Sequence, residues 1–139
     1  MKSALTTLSR IKKFELDEQQ RLLVAEQEKE DQLNFELKSL ISKYEEEKLF
    51  AAQNPGICDF GLYTDQYLKK RKSLEKQIHD IQLKIEQIRD VISGIYKEQK
   101  TFDIVAENRR KLKQKELDDQ EQKLLDEVGT NTYIKKHQN

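Results

Sequence analysis

Two histidines, one cysteine and a dense mixture of carboxylates and amines are the side chains that could do chemistry in this 139-residue sequence. Their spacing does not favour it. His79 and His137 have no cysteine or second histidine at ligand spacing, so no metal set is expected. Cys58 has no neighbouring histidine to lower its pKa, as a thiolate nucleophile requires. A single cysteine cannot close an internal disulfide either, which suits a reducing compartment. Neither a GxxxxGK[ST] run nor a GxGxxG is present to cradle phosphates. Glu107 with Lys111, and Asp119 with Lys123, are acid-first pairs four residues apart. Such pairs stabilise a helix by about 0.2–0.5 kcal/mol and do nothing catalytic. RRKLKQK gathers Arg109, Arg110, Lys111, Lys113 and Lys115, but Glu116, Asp118, Asp119 and Glu121 follow at once. A nucleic-acid surface would keep its basic face uninterrupted. The expectation is a chain with no catalytic residue, no cofactor and no metal site, which does not bind nucleic acid.

The elements that must carry these residues are helices. Leu74, Ile78, Ile81, Ile85, Ile88, Ile92, Ile95 and Phe102 follow an alternating four-three spacing, with Gln99 the one polar residue among them. That spacing places them along one seam of a helix and demands a partner helix. Charged residues make up 37% of the chain and hydrophobic ones 35%, too little oil for a globular core but enough for a seam. Lys+Arg and Asp+Glu are equal at 26 each, so no global field selects an acidic or basic partner. The start MKSALTTLSRIKKFELDE lacks the apolar run of a secretory signal, and no stretch reaches the roughly 18 apolar residues that span a bilayer. The chain is expected to be cytoplasmic.

QNPGICDFG, with Pro55, Gly56 and Gly61, is the strong breaker cluster. The expected layout is all-α: a single antiparallel coiled-coil hairpin over 1–139, with helix 1 at about 3–52, a turn at about 53–61, helix 2 at about 62–128 and a frayed tail over 129–139. Asp59 or Thr64 is available to cap helix 2, and Gly129 to stop it. In helix 1, Leu8, Ile11, Leu22 and Ala25 suggest a partial seam. Leu33, Leu37, Leu40 and Tyr44 suggest a cleaner one, joined to the first by a four-residue slip. A turn centred near Ile57 sets Leu5 opposite Arg109. Residues from about Arg110 to Val128, with Leu112, Leu117, Leu124 and Leu125, are then left unpaired over roughly 27 Å. Phe50, Ile57, Phe60, Leu62, Tyr63 and Tyr67 cluster about the turn, either capping it or forming a contact tip.

The opening MKSALTTLSRIKKFELDEQQR, the mid-chain YLKKRKSLEKQI with its isoleucine seam, and the closing LKQKELDDQEQKLLDEV together resemble the FliJ family of the flagellar type III export apparatus, in its alphaproteobacterial branch. The resemblance covers nearly the whole chain, although this chain is rich in Lys, Ile and Gln where those proteins favour Ala and Arg. It implies a stalk-like hairpin, monomeric and peripheral to the inner membrane. Such a stalk promotes assembly of the hexameric export ATPase, contacts the cytoplasmic domain of the export gate, and serves export chaperones. Carried onto this chain, the ATPase-facing end comprises Ile11, Lys12, Lys13, Phe14 and Glu15 with Leu125, Asp126 and Glu127. The gate-facing surface comprises Leu37, Ile41, Tyr44 and Tyr67. The equivalent stalk of a virulence type III secretion system, and a generic coiled-coil adaptor or chaperone, stand as alternatives, and an antiparallel dimer of hairpins is not excluded.

Overall fold

Helix α1 runs Ala4–Gln53 and helix α2 runs Phe60–His137, in a computed structural model that describes residues 4–57 and 59–137. Cys58 lies outside the described residues. The two helices pack against each other as an all-α antiparallel coiled-coil hairpin. Pro55 lacks an amide donor and turns Asn54 away from helical geometry, so α1 ends at Gln53. The backbone N–H of Asn54 and its side-chain Nδ2 both donate to the Phe50 carbonyl, at 2.9 and 3.1 Å. Gly56 then takes a φ of +86°, a conformation open to glycine and costly to residues with a Cβ. Asp59 caps α2: its Oδ1 accepts the Leu62 N–H at 3.1 Å and its carbonyl accepts the Tyr63 N–H at 3.2 Å.

The far end of α2 differs from the sequence-based expectation. Gly129 does not stop the helix, which continues to His137. A glycine inside a helix costs about 1 kcal/mol relative to alanine, but it forces a stop only where it adopts positive φ. Among the described residues Gly56 alone does so. Downstream bonds hold the extension: Thr132 Oγ1 donates to the Val128 carbonyl at 2.8 Å, and the His137 ring stacks on Tyr133 at 4.1 Å. Lys135, Lys136 and His137 occupy the last turn, where positive charge suits the helix dipole.

The contacts divide the chain into two units, Lys13–Ile95 and Met1–Lys12 with Tyr96–Asn139. In the first, α2 buries Tyr67, Leu74, Ile78, Ile85, Ile88 and Ile95, and half-buries Ile81 and Ile92. Its seam is the expected one. The seam of α1 is not. Leu16 and Glu26 are buried, and Gln19, Leu23, Glu30, Leu33, Leu37, Leu40 and Tyr44 are half-buried, in unbroken four-three spacing. The expected Leu22 and Ala25 are exposed. No slip occurs, because a four-residue insertion would rotate α1 against a partner whose isoleucines keep strict phase. α1 therefore places Gln19, Glu26 and Glu30 in the seam and leaves nearby apolar residues outside it. Stacking of Tyr44 on Tyr67 and the Glu26–Lys84 bridge at 3.5 Å set one antiparallel register, with Leu33 level with Ile78, Glu26 with Ile85 and Leu16 with Ile95.

In the second unit, Lys12 bridges Glu98 at 2.6 Å, while Leu5, Ser9, Gln99 and Phe102 are half-buried and Leu5 and Ser9 line a groove with Phe102. Leu8 and Ile11, expected in the seam, are exposed. This register brings Leu5 level with Ala106, three residues short of Arg109. From Ala106 to His137 every residue of α2 is exposed, roughly 45 Å of helix.

Candidate docking surfaces

The aromatic residues near the turn resolve into an inner and an outer group. Tyr44 lies flat on Tyr67, with ring centroids 3.9 Å apart and planes 4° from parallel, and it also stacks with Phe60 at 5.6 Å and Tyr63 at 6.1 Å. Its hydroxyl meets Thr64 Oγ1 at 3.2 Å. Arg71 Nη1 donates to the Tyr67 hydroxyl at 3.0 Å, and Arg71 Nε donates to Glu75 at 2.9 Å. Desolvation, then the Glu47 charge and Tyr44, push the Tyr63 hydroxyl above its ordinary pKa. Phe50, Ile57 and Leu62 form the outer group and remain exposed. Phe60, Tyr63 and Tyr67 thus cap the hairpin, and the outer three are what a partner could touch.

This arrangement corrects the physical basis for a gate-facing surface at Leu37, Ile41, Tyr44 and Tyr67. That placement assumed exposed apolar character, but Tyr67 is buried and Leu37, Ile41 and Tyr44 are half-buried. Tyr67 and Leu37 belong to the seam register, so they hold the helices together. The role of Tyr44 as centre of the stack had a sequence signal: it continues the spacing of Leu33, Leu37 and Leu40.

The residues proposed for the ATPase-facing end also separate. Ile11, Lys13 and Phe14 are exposed, Glu15 is half-buried, and Lys12 is tied to Glu98. Leu125, Asp126 and Glu127 are exposed, with Asp126 accepting a hydrogen bond from Gln122 at 3.2 Å. Lys12 stands level with Glu98, about 40 Å along the helix from Leu125. Ile11 and Lys12 do not meet Leu125–Glu127 in one site.

The unpaired stretch of α2 is the most conspicuous surface. Leu112, Leu117, Leu124, Leu125 and Val128 are each more than half exposed. Side-chain bonds along the helix keep its polar faces ordered: Gln114 to Asp118 at 3.0 Å, and Arg110 to Glu107 at 2.6 Å. Glu107 pairs with Arg110, three residues on, and that hydrogen bond is the main reason its carboxyl sits below the usual carboxylate range. Where α1 begins, a groove is lined by Leu5, Phe102 and Ala106, with Arg10, Arg109 and Lys113 about it.

Among the described residues no three His, Cys, Asp or Glu side chains converge to hold a metal. His79 is exposed and His137 contacts the Tyr133 carbonyl. No helix, among the described residues, is long and apolar enough to cross a membrane. No family model, curated protein or solved structure matches the chain. The class is therefore defined by geometry: a helical hairpin whose second strand extends, bare and leucine-bearing, beyond the first.

Proposed function

We propose that this chain is a non-enzymatic stalk of the flagellar type III protein export apparatus, which promotes assembly and activity of the hexameric export ATPase and links it to the export gate. The observation that carries the proposal is the unpaired α2 beyond Ala106, with its exposed leucines. A helix that exposes apolar side chains for several turns gains by burying them, at roughly 1.5–3 kcal/mol for each one fully covered. The resemblance of LxRIKKFELDE, the isoleucine seam and LDE near the end to FliJ proteins supports the export ATPase as the partner. Gate contact is assigned to the exposed outer group at the turn, Phe50, Ile57 and Leu62, in place of the seam residues. The chain works in the cytoplasm against the inner-membrane apparatus. The test mixes it with the cognate export ATPase and measures hydrolysis and ring formation. Stimulation is expected, and it should vanish when the chain is cut after Gln114 while hairpin helicity persists. No stimulation at micromolar concentration counts against the stalk reading, and stimulation that survives the cut removes the unpaired helix as the docking element.

A further inference from the structure

The groove beside the start of α1 has an apolar floor and a cationic rim. Leu5, Phe102 and Ala106 make the floor. Arg10 stands on the α1 wall, and Arg109 and Lys113 stand on the α2 wall, all three exposed. The remaining cation of the lining, Arg110, is already held by both oxygens of Glu107, at 2.6 and 3.0 Å. Among the described residues the other three engage no carboxylate, and Asp103 is the one acid in the lining. Positive charge therefore stands in local excess over apolar surface, in a chain whose net charge is zero.

From this arrangement we infer that the groove receives a short acidic helix whose inner face carries apolar side chains. In the stalk reading, on which the identity of the donor rests, that helix belongs to the export ATPase. Its apolar side chains cover the floor, and its carboxylates meet Arg10 on one wall and Arg109 and Lys113 on the other. Three features select this occupant. The floor is shared by two helices, so a third helix laid there covers apolar surface on both without displacing α1. Lys12 and Glu98, whose bridge ties the strands at this end, are not part of the lining. On α2 the lining runs from Phe102 to Lys113, roughly 16 Å or about three turns of helix, which sets the length of the occupant. Glu116, Asp118, Asp119 and Glu121 follow directly, so a polyanion longer than the groove, such as a nucleic acid or an anionic bilayer, runs into repulsion. A small free anion gains little from cations this open to water.

The chain alone tests the groove. Two helical peptides of equal length carry leucines at four-three spacing, with glutamates in one and lysines in the other at the remaining positions. A third peptide scrambles the glutamate sequence and breaks its stripe. Fluorescence anisotropy through the micromolar range is expected to show saturable binding of the glutamate peptide, weakened by salt, and none of the scrambled one. Arg10→Glu with Arg109→Glu and Lys113→Glu should weaken that binding at least about tenfold and create binding of the lysine peptide, which an unfolded variant cannot do. Ala106→Gln sets a polar side chain into the floor and should weaken binding too, whereas a site held by charge alone ignores it. The chain cut after Gln114 keeps the whole lining and should still bind. No binding of the glutamate peptide, equal binding of the scrambled one, or a wild-type preference for the lysine peptide would each overturn the inference. Indifference to the charge reversals or to Ala106→Gln, or loss of binding on the cut, does the same. So does competition by phosphatidylglycerol vesicles, which assigns the groove to a lipid surface. The stalk reading fails separately. Peptide binding without stimulation of the export ATPase removes the ATPase as donor, and stimulation without peptide binding leaves the stalk and removes the groove.

Discussion

Glu26→Leu is expected to make the hairpin more stable. Glu26 is the one charged residue among the buried positions described, 6% exposed and level with Ile85, itself 5% exposed. Its carboxylate meets Lys29 at 3.2 Å and Lys84 at 3.5 Å. Both lysine side chains are 61% exposed, so each contact is worth only about 0.2–1 kcal/mol. A leucine covered at the same place contributes about 1.5–3 kcal/mol. The difference favours leucine by about 1–2 kcal/mol, in line with the gain often seen when buried ion pairs are replaced by apolar side chains. Thermal unfolding followed by circular dichroism should show a rise of roughly 3–6 °C. The pH dependence is a second readout. The hydrogen bond from Lys29 comes first, with the charges of Lys29 and Lys84 adding to it against desolvation, and it holds the Glu26 carboxyl below its ordinary 4.5. Such a group gives its full stabilisation above pH 4.5 and loses it as pH falls through the depressed value. The wild type loses that contribution in acid and the leucine variant has none to lose, so the gap widens below pH 4.5. A variant no more stable than wild type at neutral pH would refute the seam assignment of Glu26. A gap that narrows in acid would refute the role of the lysines.

Two further substitutions probe the helix ends. Asp59→Ala removes the acceptor for the Leu62 N–H and should cost about 1 kcal/mol of stability in denaturant titration. Gly129→Ala meets nothing within 4 Å and should raise helical content, stabilising the end of α2 by about 1 kcal/mol.

The legibility of the two strands differed for a physical reason. Every seam position of α2 from Leu74 to Ile95 is Leu or Ile, so composition and phase agree there. In α1 they conflict. Leu8, Ile11 and Leu22 invite a seam in the wrong phase, while the true one passes through Lys12, Gln19, Glu26 and Glu30. Counting back from Leu33 in unbroken steps reaches Leu23, Leu16 and Leu5, which is the signal that local hydrophobicity masked. The breaker at Pro55 and Gly56 was readable because both residues restrict the backbone directly. The end of α2 was not, since the choice made at Gly129 depends on downstream bonds such as Thr132 to Val128. Unpaired leucines in α2 followed from the inequality of the strands. That Tyr44 and Tyr67 close on each other instead of facing outward depended on the register, which only the packed hairpin fixes.

The uneven distribution of oil along Lys13–Ile95 also sets how that part comes apart. Four stacked rings fasten the end beside the turn, where the chain separation between partners is smallest. Away from it the α1 side of the seam becomes Glu30, Glu26 and Gln19. Contacts that close short loops form first and break last. The hairpin should zip from its turn, and amide hydrogen exchange should slow steadily from the Leu16 level toward Tyr44, so that fraying starts at the end remote from the turn.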